Sequence, residues 1–357
     1  MMKCKICGRG LASNSLQVCL DCIRNDEDAL KLAKEAHKKS REKFGLVAEI
    51  PNKGIKCKFC GNECEIPRDE SGFCGLVRNV KNRIIREDEL IATTYYDPHP
   101  TNCVAQPFCA GGSGAGYPRY AIRQSAEYGY FNLSVFCIGC NFDCLFCQNW
   151  QFRKEVAHRP KISDDKFLGS INNKTTCICF FGGDPSPQLD KITRICEKAS
   201  ERKKGILRFC LETNGNANTE ILKRFAEISL RSGGGIKFDL KAFDENLNIA
   251  LCGVSNKKTK ENFKALADCH KERPEVPFLR ASTLLVPYYI DEEEISKIAN
   301  FIAKIDKTIP YVLLAYHPMF EMDDVGFTKK EFAMKCLKIA KEQGLERVRI
   351  GNYWLLE

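Results

Sequence analysis

"CIGCNFDCLFCQNW", residues 137–150, sets Cys137, Cys140, Cys144 and Cys147 between two differently patterned stretches. "YFNLSVFCIG", which runs into it, is a short apolar run that reads as a strand, and "LFCQNWQFRKE", which leaves it, reads as the start of a helix. The alternation continues. "TTCICFF" is followed by "QLDKITRICEKASERKK", "ILRFCLE" by "TEILKRFAEISLRS", and "GIKFDLKAF" by "KKTKENFKALADCHKER". "FLRASTLLVP" then leads to "DEEEISKIANFIAKI", and "YVLLAYHP" to "TKKEFAMKCLKIAKEQ". This predicts an α/β fold with a parallel sheet covered by helices. Six β–α units over residues 130–357 suit a partial, TIM-like (β/α)6 barrel better than the full eight. Functional residues are expected at the C-terminal ends of its strands, where the cysteine loop lies.

Four thiolates would close a metal site, as in an electron carrier or a structural centre; three would leave a coordination position open. The loop spacing, C-x3-C-x2-C from Cys140 to Cys147, differs from the bacterial ferredoxin run. If the strand runs through Phe136 and Cys137, Cys137 belongs to the sheet, leaving Cys140, Cys144 and Cys147 as ligands.

The chain has 357 residues, 44% hydrophobic and 28% charged, which implies a globular protein with a sizeable core. It shows no apolar run of membrane-spanning length and no signal-peptide core in "MMKCKICGRG", so a cytoplasmic protein without a membrane partner is expected. Of 21 cysteines, 14 lie at or before Cys147, mostly in C-x-x-C pairs. In a cytosolic setting such pairs read as metal or iron–sulfur ligands, not disulfides. Cys196, Cys252, Cys269 and Cys336 read as small core residues. The net charge is +9, and residues 1–56 carry 12 Lys/Arg against 7 Asp/Glu, compatible with an acidic partner or nucleic acid.

Ahead of the barrel region (130–357), three segments are distinguished. Residues 1–23 hold Cys4, Cys7, Cys19 and Cys22 as two C-x-x-C knuckles, a zinc-ribbon-like or rubredoxin-like module for zinc or a mononuclear iron. Residues 24–50 read as a helical linker with a thin apolar stripe of Leu30, Ala33 and Ala36 and a solvated His37. Residues 51–129 form an extension in which Cys57, Cys60, Cys64 and Cys74 could hold zinc or an auxiliary iron–sulfur cluster. Residues 84–129 read as irregular, with a flexible glycine run from Gly111 to Gly116; Cys103 and Cys109 receive no assigned role.

The C-x3-C-x-Φ-C pattern, with Phe146 before the last cysteine, resembles the radical S-adenosylmethionine (SAM) superfamily. "FFGGDP" resembles its Gly-Gly-Glu motif, with Asp184 in place of Glu, and "ETNG" its ribose- or carboxylate-binding segment. "DLKAF", "TLLVP", "YHP" and "RIGN" are similar to the branch of pyruvate formate-lyase activating enzymes, and "CGNECEIPRDESGFCG" to the AmmeMemoRadiSam-related group within it. The inserted ferredoxin clusters common in glycyl-radical activases are missing, since no cysteine run separates Cys147 from Cys177.

The resemblance implies a radical SAM enzyme. A 4Fe-4S cluster on Cys140, Cys144 and Cys147 would reductively cleave SAM to a 5′-deoxyadenosyl radical that acts on a protein or RNA partner. Gly182, Gly183, Asp184, Thr213, Asn214, Asp239 and His317 are the expected SAM contacts, and a donor such as ferredoxin or flavodoxin would supply the electron. Two other readings remain: a non-catalytic multi-centre iron–sulfur carrier, and a nucleic-acid- or protein-binding protein led by its zinc ribbon.

Overall fold

A computed structural model describes residues 1–357. Its main sheet has nine strands. They are β1 (Leu90–Pro98), β2 (Phe131–Cys137), β3 (Thr175–Gly182), β4 (Arg208–Thr213), β5 (Gly235–Asp239), β6 (Leu279–Leu285), β7 (Tyr311–Ala315) and β8 (Val348–Gly351), with Lys161–Ile162 pairing on β1 as a short outer edge. From β2 to β8 every strand is parallel to its successor, whereas β1 is antiparallel to β2. Sequential parallel neighbours are the order of a β/α barrel wall; a doubly wound sheet would reverse direction at a switch point.

Period-2 alternation gives the sheet two unlike faces. Ile178, Phe180, Phe209, Ile236, Phe238 and Leu279 are fully or almost fully buried and join the main core. Truncating Phe238 to alanine would cost about 3–5 kcal/mol. The alternate positions, among them Cys179, Cys210, Glu212, Lys237, Asp239 and Arg280, line internal cavities.

Eight helices matter to the site: α1 (Leu20–Asn25), α2 (Glu27–Glu42), α3 (Phe152–His158), α4 (Leu189–Arg202), α5 (Thr219–Ser232), α6 (Glu245–Cys252), α7 (Glu292–Ile305) and α8 (Lys330–Glu342). α5 shows how the local sequence sets them. The Asn218 side chain accepts from the Glu220 and Ile221 amides, Leu222, Phe225, Ala226 and Ser229 form the buried stripe, and Gly233 ends the helix in the left-handed region.

Three expectations need correction. Residues 84–129 are not irregular throughout, since Leu90–Pro98 is a long strand of the main sheet. Its mixture of Thr and Tyr carries β-propensity without a continuous apolar run. The glycine run is packed, with Gly111 and Gly112 buried; a Cβ at Gly111 would come within 2.8 Å of His99. The 24–50 segment is no free linker. α2 buries Ala29, Ala33, His37, Ser40 and Arg41, its small residues permit close packing on α6, and His37 is only 4% exposed.

The N-terminal module also docks on the main body. The Tyr289 hydroxyl accepts from the Ser13 amide at 2.8 Å and donates to the Val18 carbonyl at 3.2 Å, and Arg24 grips Asp291 through both terminal nitrogens.

Candidate metal and cofactor site

The cysteine loop follows β2 and is held on several sides. Asp143 and Leu145 donate their amides to the Cys252 and Leu251 carbonyls at the end of α6. Asn141 donates to the Asn216 carbonyl and accepts from Asn214 Nδ2 at 2.8 Å. Asp143, between two of the cysteines, is wholly buried; its carboxylate meets His37 Nδ1 at 2.9 Å, Arg153 Nη2 at 3.0 Å and Arg41 Nη1 at 3.4 Å. Burial would raise the Asp143 pKa, but the His37 hydrogen bond and the two guanidinium charges hold it well below the carboxylate range.

Cys140, Cys144 and Cys147 line one cavity of about 350 Å³. Cys137 ends β2, is fully buried and is not among the lining residues; its carbonyl accepts from the Gly183 amide at 2.9 Å. Burial pushes the Cys140 and Cys147 thiols up, the Arg153 charge opposing this at Cys147. A hydrogen bond with Cys252 instead draws Cys144 down. The three sulfurs are not gathered at single-ion spacing, as those of the N-terminal set are. Arg153, 1% exposed, has Nε and Nη1 without partners beside the loop, so anionic charge gathered there would satisfy it. This donor set suits a thiolate-held cluster.

The loop after β3 nests on the cysteine loop. Gly183 and Asp184 donate their amides to the Cys137 and Gly139 carbonyls, both at 2.9 Å. A Cβ on Gly183 would sit 2.2 Å from Gly139 O, and Gly182 has φ +116°. These glycines therefore serve close loop packing as well as any ligand. Asp184 is a clamp. Its Oδ1 accepts from the Ser186 amide (2.8 Å) and Thr213 Oγ1 (3.0 Å), and its Oδ2 from the Asn214 amide at 2.6 Å. Burial raises its pKa against these bonds.

Thr213, Asn214 and Asp239 line the same cavity. Lys237 Nζ bridges Glu212 at 3.0 Å and Asp239 at 2.7 Å, Lys241 meets Asp239 at 2.9 Å, and Ser282 donates to Asp239 at 2.6 Å. Burial would raise the Asp239 pKa, but the two lysine charges hold it far below the usual range. Gly182, Gly183, Asp184, Thr213, Asn214 and Asp239 thus converge with the three cysteines. His317, two residues past β7, does not line the cavity, and its Nδ1 faces the Pro318 carbonyl. Sequence reasoning missed Asp143, Arg41 and Arg153, whose only signal was an acid between two cysteines.

Cys4, Cys7, Cys19 and Cys22 place all four sulfurs within 4.8 Å of one another, a spacing suited to one tetrahedral ion. Amides of Gly10 and Arg9 bring Cys7 down to about 6, favouring the thiolate a metal needs. Cys57, Cys60, Cys64 and Cys74 are all buried and near one another but lie outside that spacing.

Residues 134–302 match the family model of the radical SAM superfamily. A Methanocaldococcus jannaschii protein named as a glycyl-radical enzyme activating enzyme is 32% identical over 192 residues, which cover 52% of this chain and 67% of that one. The pyruvate formate-lyase-activating enzyme of Staphylococcus aureus is 24% identical over 194 residues, 52% of this chain and 74% of its own. Among solved structures, a domain of the Bacteroides vulgatus pyruvate-formate lyase-activating enzyme aligns with 49% of this chain and 98% of its own at 21% identity, with a TM-score of 0.39. No helix is long and apolar enough to cross a membrane.

Proposed function

This chain belongs to the radical SAM superfamily, and on that premise we propose that Cys140, Cys144 and Cys147 hold a 4Fe-4S cluster and that the adjoining cavity takes SAM. When bound, such a cluster supplies the electron that cleaves SAM to methionine and a 5′-deoxyadenosyl radical. One convergence supports the reading: the three loop cysteines, the Gly182–Asp184 turn, Thr213, Asn214 and Asp239 line a single cavity at the C-terminal ends of the parallel strands.

The residues of this chain have separable tasks. Gly182 and Gly183 bring backbone against the cysteine loop, and Asp184 fixes Thr213 and Asn214 at the end of β4. Since Asp184 already accepts on both oxygens, it acts as a positioning residue for the SAM pocket and not as its main charge. Asp239, held between Lys237 and Lys241, presents a fixed carboxylate to the cavity. Asp143 with His37, Arg41 and Arg153 keeps the cysteine loop rigid and places positive charge near its thiolates.

Both relatives are named as activating enzymes of another enzyme, which favours a protein over RNA as the substrate. A one-electron donor such as ferredoxin or flavodoxin would dock near the loop. The wall from β2 to β8 is read as the partial barrel, residues 1–23 as a zinc or mononuclear-iron module, and Cys57, Cys60, Cys64 and Cys74 as an auxiliary cluster or zinc site. Anaerobically reconstituted protein, reduced in the presence of SAM, is expected to release methionine and 5′-deoxyadenosine. Absence of both products from protein with a full cluster would reject the proposal.

A further inference from the structure

A second cavity, of about 420 Å³, borders the inner face of the sheet. Five cysteines line it: Cys103 and Cys109 from the segment between β1 and β2, Cys177 and Cys179 from β3, and Cys210 from β4. Cys177 and Cys179 are two residues apart and share a face, and Cys179 is the register partner of Cys210 on the next strand. They form a thiol patch across two neighbouring strands. The segment carrying Cys103 and Cys109 is anchored over it, with Cys103 Sγ donating to Glu212 at 3.0 Å and Glu127 paired with Arg208 of β4.

A free cysteine among apolar side chains is an ordinary core residue. These five are set differently. All are free thiols, and Cys103, Cys109, Cys179 and Cys210 keep part of their surface accessible. The cavity walls also carry Arg280, His99, Lys237 and Glu212, where a barrel interior is usually filled by branched apolar residues. Arg280 is 3% exposed, and its Nε and Nη2 have no hydrogen-bond partner. His99 is 6% exposed, and neither ring nitrogen is bonded. A buried guanidinium without a counter-charge is costly. Thiolates gathered on a metal centre would supply that charge, and the cation would in turn favour the deprotonated thiols the metal requires.

We propose that this cavity holds a further metal centre, a polynuclear iron–sulfur cluster ligated by thiolates drawn from Cys103, Cys109, Cys177, Cys179 and Cys210, with Arg280 and His99 donating to its sulfurs. A single ion fits less well, because no three of these sulfurs lie within 4.8 Å of one another. A cluster spreads its thiolates around a wider core. The two cavities share Asn102, Phe181, Glu212 and Lys237, so this centre lies beside the Cys140–Cys147 loop and has ligands of its own. It does not depend on SAM binding.

The test is the iron and acid-labile sulfide content of the full chain after anaerobic reconstitution. The C109S/C179S/C210S variant, which leaves only two of the five thiols, is expected to lose one cluster's complement of both elements and to keep a SAM-dependent change in its EPR spectrum. In the converse variant, with Cys57, Cys60, Cys64, Cys74, Cys140, Cys144 and Cys147 all changed to alanine, a cluster should still assemble. Unchanged iron in C109S/C179S/C210S, or no iron–sulfur signal in the converse variant with its native circular dichroism intact, overturns the proposal. The cavity would then fall to an anionic small molecule held by Arg280 and His99. Should either variant not fold, C103S/C109S/C210S replaces it, and native mass spectrometry decides: one cluster's mass fewer than in the unaltered holoprotein is expected, and an equal metal mass overturns the proposal.

Discussion

His37 on α2 and Asp143 in the cysteine loop are 106 residues apart in sequence, and their side chains meet at 2.9 Å. His37 Nε2 faces the Ala250 carbonyl at 3.0 Å, so one ring spans α2, α6 and the loop. Arg41 joins from α2 and Arg153 from α3. The N-terminal region therefore acts as a buttress of the loop expected to carry the cluster.

Replacing Asp143 with asparagine leaves Arg41 and Arg153 buried without a counter-charge. A loss of about 3–5 kcal/mol is expected in denaturant unfolding, together with reduced iron at the loop. Deleting residues 1–42, which also removes the Cys4–Cys22 site, should likewise weaken the loop cluster, read from its EPR signal and not from total iron. A wild-type cluster signal in both variants would show that α2 is a passenger.

The Gly183→Ala substitution forces a Cβ to within 2.2 Å of Gly139 O and separates the two loops. SAM affinity, measured by equilibrium binding to reconstituted protein, should fall about tenfold or more, the equivalent of a packing cost of about 1.4 kcal/mol. Cluster assembly and the thermal midpoint are read in parallel. Unchanged affinity would mean that the turn is not part of the pocket.

Asp184 distinguishes a clamp from a charge. In D184N an amide group must face the Asn214 and Ser186 amide donors, which costs about 1–3 kcal/mol of stability. A lower thermal midpoint alongside weaker SAM binding is expected. Weaker binding at an unchanged midpoint would instead assign Asp184 a direct charge contact.

Glu127 gives a pH signature. Burial would raise its pKa, but the hydrogen bonds and charge of Arg208, with help from the Ile122 amide and the Thr176 hydroxyl, bring it down to about 2. An unfolded glutamate titrates near about 4.3. The folded value is the lower one, so this stabilisation is present above about pH 4.3 and is lost as pH falls towards 2, amounting to about 3 kcal/mol. The stability difference between wild type and E127Q, measured in urea from pH 5 to 2, should shrink on acidification. A constant difference would contradict the pairing.

Much of this was legible in the sequence. The six apolar runs became β2 to β7 because period-2 and helical patterns alternate strongly after residue 130. The loop cysteines, Gly-Gly-Asp and Thr-Asn-Gly segments were visible through their resemblance to radical SAM motifs, and they follow successive strands of one parallel sheet, so they lie at the same edge. β1 was not legible, since its outer half is exposed and polar. The role of α2 was hidden because its seam is made of alanines, a serine and two polar side chains whose partners lie about a hundred residues away. His317 follows a strand end, which predicts proximity to the site, but it lies two residues past β7 and is not among the residues lining the cavity.

The most direct test is the EPR spectrum of anaerobically reduced protein, with Cys57, Cys60, Cys64 and Cys74 changed to alanine, recorded with and without SAM. A spectral change on adding SAM is expected that survives Cys137→Ala and disappears in Cys140→Ala, Cys144→Ala and Cys147→Ala. A cluster spectrum indifferent to SAM and lost in Cys137→Ala would mean four closed ligands and an electron carrier.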